Sequence, residues 1–108
     1  MTKINNIESQ IRKGVLEYCI LSVINEEKMY ASDIIKKLKD AKLIVVEGTL
    51  YPLLTRLKKS GLLSYQWEES LQGPPRKYYF LTTQGEIFQD ELKKYWEELV
   101  LSVNLLTK

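Results

Sequence analysis

The sequence predicts a mainly α (α+β) fold in which three helices, a two-stranded hairpin and a last long helix follow one another. Three observations predict it. Apolar residues recur at helical spacing through the first sixty positions, alternating aromatics occupy 63–82, and residues 83–108 return to helical spacing.

From about Ile7 to Ile24, Ile7, Ile11, Val15 and Tyr18 line one side, and Leu16, Cys19, Ile20, Val23 and Ile24 the next, giving a helix with a broad buried arc. The polar stretch Asn25-Glu26-Glu27-Lys28 is read as the following loop. Ser32 is a good helix cap and is expected to open a short second helix, with Ile34, Ile35 and Leu38 inward. A polar break at Asp40 to Lys42 and the β-branched run Ile44-Val45-Val46 precede the third helix. There Leu50, Leu53, Leu54 and Leu57 share one arc, while Tyr51, Thr55, Arg56, Lys58 and Lys59 occupy the rest. Pro52 lies deeper than the ideal first position and removes one backbone hydrogen bond, and Gly61 supplies the stop.

Next, Leu63, Tyr65 and Trp67 alternate with Ser64, Gln66 and Glu68, and the run from Arg76 to Thr82 is rich in strand formers. These form a hairpin whose loop, Glu69 to Pro75, is expected to be longer than a two-residue turn, with an exposed, mobile tip. Thr83 with Glu86 has the form of a capping box for the last helix, and Thr82 is the alternative cap. Phe88, Leu92, Trp96, Leu99, Val103 and Leu106 then recur in steps of 4 and 3, the spacing of a helix seam.

Composition narrows the function classes. With 108 residues, 44% hydrophobic and 28% charged, the chain has room for one domain, expected over residues 1–82, and one added element, residues 83–108. The longest apolar stretch is broken by Ser22, Asn25 and Glu26, short of the ~20 residues a bilayer span needs. Met1 to Glu8 lacks a signal-peptide pattern, so a cytoplasmic location without a membrane partner is expected. Cys19, the sole cysteine, falls on an apolar helical stretch and is read as core filler. Histidine is absent, which removes the commonest general base and zinc ligand. The acid pairs Glu26/Glu27, Glu68/Glu69 and Glu97/Glu98 are adjacent, and neighbours on a helix point apart, so they make no carboxylate dyad. An enzyme, a metal site and a cofactor are therefore not expected.

The order helix, short helix, helix, hairpin is the layout of a winged helix-turn-helix, whose third helix is offered to the major groove of DNA. Charge follows that layout. Between Lys36 and Lys59 seven basic residues face two acidic ones, whereas from Glu86 to Glu98 five acids face two lysines. A net charge of only +2 therefore hides a polar molecule, basic at the reading head and acidic on the last helix. Arg76 and Lys77 leave the hairpin loop where a wing would meet phosphates or a minor groove. A winged-helix module that binds protein and not DNA is the alternative.

The ordered motifs Gly48-Thr49-Leu50-Tyr51-Pro52-Leu53-Leu54, Arg56-Leu57, Gly61-Leu62-Leu63, Gly73, Arg76-Lys77-Tyr78-Tyr79 and Leu81-Thr82-Thr83-Gln84-Gly85 resemble the signature of the PadR family of bacterial transcription regulators. The resemblance runs from about residue 12 to the carboxy terminus. It implies a sequence-specific DNA-binding regulator of the smaller subgroup, whose members are dimers and commonly repressors. By position it implies phosphate contacts from Thr49 and Tyr51 and a basic wing at Arg76 and Lys77, with Arg56 and Lys59 supporting. One departure is Val46, where many relatives have a polar cap. The resemblance also implies that the last helix, residues 83–108, is a dimerisation helix packing with the first helix of a partner copy. In multidrug-responsive members a tryptophan at the place of Trp96 lines a flat pocket at the dimer centre. A small aromatic or cationic effector would stack there, with Val15, Tyr18, Leu92, Tyr95 and Leu99 sharing either that task or the dimer seam. The expected partners are thus duplex DNA with a pseudo-palindromic operator, a second copy of the chain and such an effector.

Overall fold

Helical periodicity is realised as α1 (Ile4–Glu26), longer at both ends than the expected segment and continuing through Asn25 and Glu26. The computed structural model describes residues 4–108, so the first three residues of the expected 1–82 unit lie outside the described residues. Leu16, Ile20, Leu21 and Ile24 of α1 are buried, whereas Ile4, Ile7 and Ile11 are exposed. The carboxy-terminal half of α1 therefore forms the core, and the amino-terminal half leaves it.

The second helix, α2 (Ala31–Asp40), starts one residue before Ser32, so the expected serine cap is not formed. The cause is a contact across the chain. Met29 and Tyr79 exchange backbone hydrogen bonds of 3.1 and 2.8 Å, which hold the chain extended up to Tyr30. The Tyr30 N–H then donates to Asp33 Oδ2 at 3.1 Å, giving one orphan donor of the helix start a carboxylate acceptor. Ala31, Ile34 and Leu38 are buried. Lys42, at φ 70°, makes the turn out of α2, with Leu43 N–H donating to the Leu38 carbonyl at 2.8 Å.

Helix α3 (Glu47–Lys59) begins after Val46 without a side-chain cap. Buried Val45 anchors that start by packing, which replaces the polar cap. Pro52 is inside the helix and cannot donate to the Gly48 carbonyl one turn earlier. Leu50, Leu54 and Leu57 are buried, while Leu53 is partly buried against the same core. Gly61, at φ 79°, ends the helix as expected, and its neighbour Leu62 donates to the Leu57 carbonyl at 3.1 Å.

Strands β1 (Leu63–Ser70) and β2 (Gly73–Leu81) pair antiparallel, with Leu63 opposite Leu81 and Ser70 opposite Gly73. The expected long loop is thus a correction: only Leu71 and Gln72 lie between the strands. Pro74 and Pro75 stay within β2 because the ladder is irregular there, the single residue Glu69 facing both of them.

Helix α4 (Thr83–Leu106) is capped by Thr82 and not through Thr83 and Glu86, the Thr82 Oγ1 accepting from Gly85 N–H at 3.0 Å. Its first half lies along α1. Gln89 Nε2 donates to Ser22 Oγ at 3.1 Å, and Leu92 packs against the core. The second half projects from the body, in a molecule 54 Å long and 24 Å thick. The result is a winged helix-turn-helix with a long carboxy-terminal helix. Among the described residues no helix is long and apolar enough to cross a membrane.

Candidate nucleic-acid interface

Because Leu50, Leu54 and Leu57 turn inward, helical geometry turns Tyr51, Thr55, Arg56 and Lys59 outward, where with Pro52 they form one continuous surface along α3. Tyr51 stands at its edge, 46% exposed, and also borders a groove of about 430 Å³ between α3, the start of α2 and the wing. Tyr30, Ser32, Trp67, Arg76 and Lys77 share that groove with the acidic side chain of Glu47.

Thr49 faces the other way. It shares a second groove with Ser9, Arg12 and Lys13 of α1 and with the Ile44-Val45-Val46 approach to α3. The structure thus brings Tyr51, Arg76 and Lys77 together on the wing side, and puts Thr49 on the α1 side beside two bases that the sequence reading did not select. The adjacent pair Arg12-Lys13 was the available signal.

Arg56 and Arg76 are each tethered within the chain. Arg56 forms an ion pair with Glu17 of α1. Arg76 donates to Ser32 Oγ at 2.8 Å, and its guanidinium lies 3.7 Å from the centre of the Tyr30 ring. Both remain exposed, and a guanidinium has five N–H donors, so each keeps donors to spare. Lys77 lies over two rings, 4.5 Å from that of Tyr65 and 5.5 Å from that of Trp67. Lys58 reaches the same Tyr65 ring at 5.4 Å. Sequence spacing put Lys58 on the outer arc, but its partner is a strand residue that spacing along a helix cannot reveal.

Tyr79 is buried between these elements, and burial pushes its phenol pKa up, with Tyr51 and Tyr65 adding to the effect. Its backbone holds Met29, so this tyrosine joins the wing to the start of α2.

The residues expected at an effector pocket divide. Val15 and Tyr18 are half-buried on α1, and Leu92 packs against the core. Tyr95, Trp96 and Leu99 are exposed on α4, Trp96 at 38% and Leu99 at 37%. Cys19 is half-buried against the core, and burial raises its thiol pKa, which fits a packing role.

Known proteins share both the fold and the sequence. Residues 20–93 match the transcriptional regulator PadR-like family. A PadR-like transcription factor from Bacteroides fragilis is 64% identical, with a TM-score of 0.81 over 94% of this chain and 99% of its own. A PadR-like transcriptional regulator from Bacillus cereus is 40% identical, with a TM-score of 0.80 over 92% and 98% of the two chains. A PadR family regulator from Eggerthella lenta is 31% identical, with a TM-score of 0.88 over 97% and 92%. With the family matched across both the reading head and the wing, the chain belongs to the PadR-like family and is a DNA-binding transcriptional regulator, not an enzyme.

Proposed function

We propose that the protein acts as a homodimeric repressor of a pseudo-palindromic operator, and that a small aromatic or cationic effector releases it. The observation that carries this reading is the outward face of α3. Tyr51, Thr55, Arg56 and Lys59 form one surface there, flanked by Lys77 on the wing side and by Thr49, Arg12 and Lys13 on the α1 side. Such a face meets the major groove with its middle and the bordering phosphates with its flanks. Thr49, Tyr51, Arg56, Lys59, Arg76 and Lys77 are its contacts, with Arg76 also bracing the wing.

The acidic carboxy-terminal segment, residues 83–108, which α4 dominates, is the dimerisation element. Trp96, Leu99, Val103 and Leu106 leave an apolar stripe uncovered along it, and Ile4, Ile7 and Ile11 are likewise exposed on α1. A two-fold dimer places two α3 helices about 34–36 Å apart, one turn of duplex. Tyr95 and Trp96 on that seam supply aromatic faces for a planar ligand, which acts by favouring one spacing of the heads over another.

The test pairs light scattering with binding to genomic DNA fragments. Lys77→Glu is expected to weaken binding and flatten its salt dependence. Unchanged binding, or a stable monomer at micromolar concentration, contradicts the reading. Trp96→Ala separates effector from assembly, because loss of ligand response with an intact dimer fits the pocket, and loss of the dimer itself assigns Trp96 to the seam.

A further inference from the structure

We propose that a backbone phosphate of bound DNA seats at the base of the wing, between Lys58 and Lys77 over the Tyr65 ring, and that the wing tip stays off the backbone. The proposal rests on the DNA-binding reading above and says where on the wing the polyanion lies.

Two ammonium groups from separate elements converge on one ring. Lys58 comes from the last turn of α3 and lies 5.4 Å from the centre of Tyr65, and Lys77 comes from β2 and lies 4.5 Å from it. Lys59 and Thr55 close the same groove of about 240 Å³, with Tyr79 at its floor. No carboxylate lines that groove, and among the described residues the ion pairs are Arg56 with Glu17 and Lys94 with Asp90, so neither reaches it. Like charges brought together without an acid repel, and an anion between them reverses the sign of that interaction. A hydroxyl and three lysines suit a phosphodiester, whose two non-bridging oxygens accept hydrogen bonds and share one negative charge. The ring holds the lysine stems in place by cation–π attraction, so less side-chain freedom is lost when phosphate arrives.

The distal wing has the opposite character. From Trp67 through Pro75 it carries Glu68 and Glu69 and no base, and its tip residue Leu71 is fully exposed. Arg76, which faces Glu68 across the ladder, is turned to Ser32 and Tyr30 at the start of α2. Two carboxylates at the tip are repelled by the backbone that the wing base attracts, so the wing meets DNA at its root.

The experiment measures binding of a labelled random-sequence duplex between about 50 and about 200 mM salt. Lys58→Ala is expected to lower the slope of log affinity against log salt by about 0.9 per protomer bound. Lys58→Arg should restore it, while Lys93→Ala on α4 leaves it unchanged. Leu71→Lys at the exposed tip, with Glu68 and Glu69 kept, should also leave it unchanged, since the added charge sits away from the backbone. A steeper slope for Leu71→Lys, or an unaltered slope for Lys58→Ala, overturns the assignment while the DNA-binding reading stands. If the unaltered protein binds no duplex at all, both fall together.

Discussion

The Arg76 guanidinium lies 3.7 Å from the centre of the Tyr30 ring while donating to the neighbouring Ser32 hydroxyl, so a single side chain fastens the wing to the start of α2. Stacking needs a planar cation, and lysine supplies only a point charge. Arg76→Lys is therefore expected to cost about 1 kcal/mol of stability. It should also speed amide exchange in β2, and Arg76→Ala is expected to do the same. Thermal unfolding and hydrogen exchange check this. Full retention by the lysine variant would mean that charge alone matters at this position.

Gly85 is expected to be the least replaceable glycine. A Cβ built there would lie 1.9 Å from the Leu62 carbonyl oxygen, because the start of α4 packs directly on the chain that leaves α3. Thr82 completes the junction, its hydroxyl donating to the Gly61 carbonyl at 2.7 Å and accepting from Gly85 N–H. The Leu-Thr-x-x-Gly motif is thus a latch between two helix ends, with a structural task. Gly85→Ala should cost about 3 kcal/mol or more, since backbone must move. Gly48→Ala, with nothing within 4 Å, should stabilise by about 0.5–1 kcal/mol. Denaturant melts of the two variants should move in opposite directions.

Periodicity made the helices legible because each buries one arc, and the stop at Gly61 followed from local backbone conformation. The errors share one cause. Ser32 offers a capping hydroxyl for α2, but the pairing of Met29 with Tyr79, distant in sequence, sets where that helix starts. The prolines of the wing signalled a loop, yet an irregular two-stranded ladder with open edges accommodates them. In the interface, the outward positions of Tyr51, Thr55 and Lys59 followed from the leucine arc. The partners of Arg56, Arg76 and Lys58 lie on other elements, and helical spacing carries no information about those.

Stability should fall in alkali, starting with Cys19. Burial raises its thiol pKa, so across the window from the ordinary thiol value up to the folded one, the unfolded chain has lost a proton that the folded chain keeps. Fewer protons on the unfolded state make the slope of stability with pH negative there. Tyr79 extends the decline further, its phenol being raised first by burial and then by Tyr51 and Tyr65. Cys19→Ala should remove the first part of the decline and leave the second. Chemical denaturation across alkaline pH reads both, and a stability that rises with pH over the thiol window would contradict the burial of Cys19.

Glu17 holds Arg56 from α1 and competes with phosphate for the same cation. The Arg56 side chain is 64% exposed, so the pair is worth only about 0–1 kcal/mol to the fold and can be broken cheaply. Glu17→Gln releases the guanidinium and removes a negative charge beside the reading helix. Duplex affinity at low salt is expected to rise several-fold, with a steeper salt dependence and a melting temperature nearly unchanged. Arg56→Ala should lower affinity, and adding Glu17→Gln to it should recover little, because the gain depends on the freed arginine. Equal gains from Glu17→Gln in both backgrounds would show that the carboxylate acts only through its own charge, and unchanged affinity in Arg56→Ala would remove Arg56 from the contact surface.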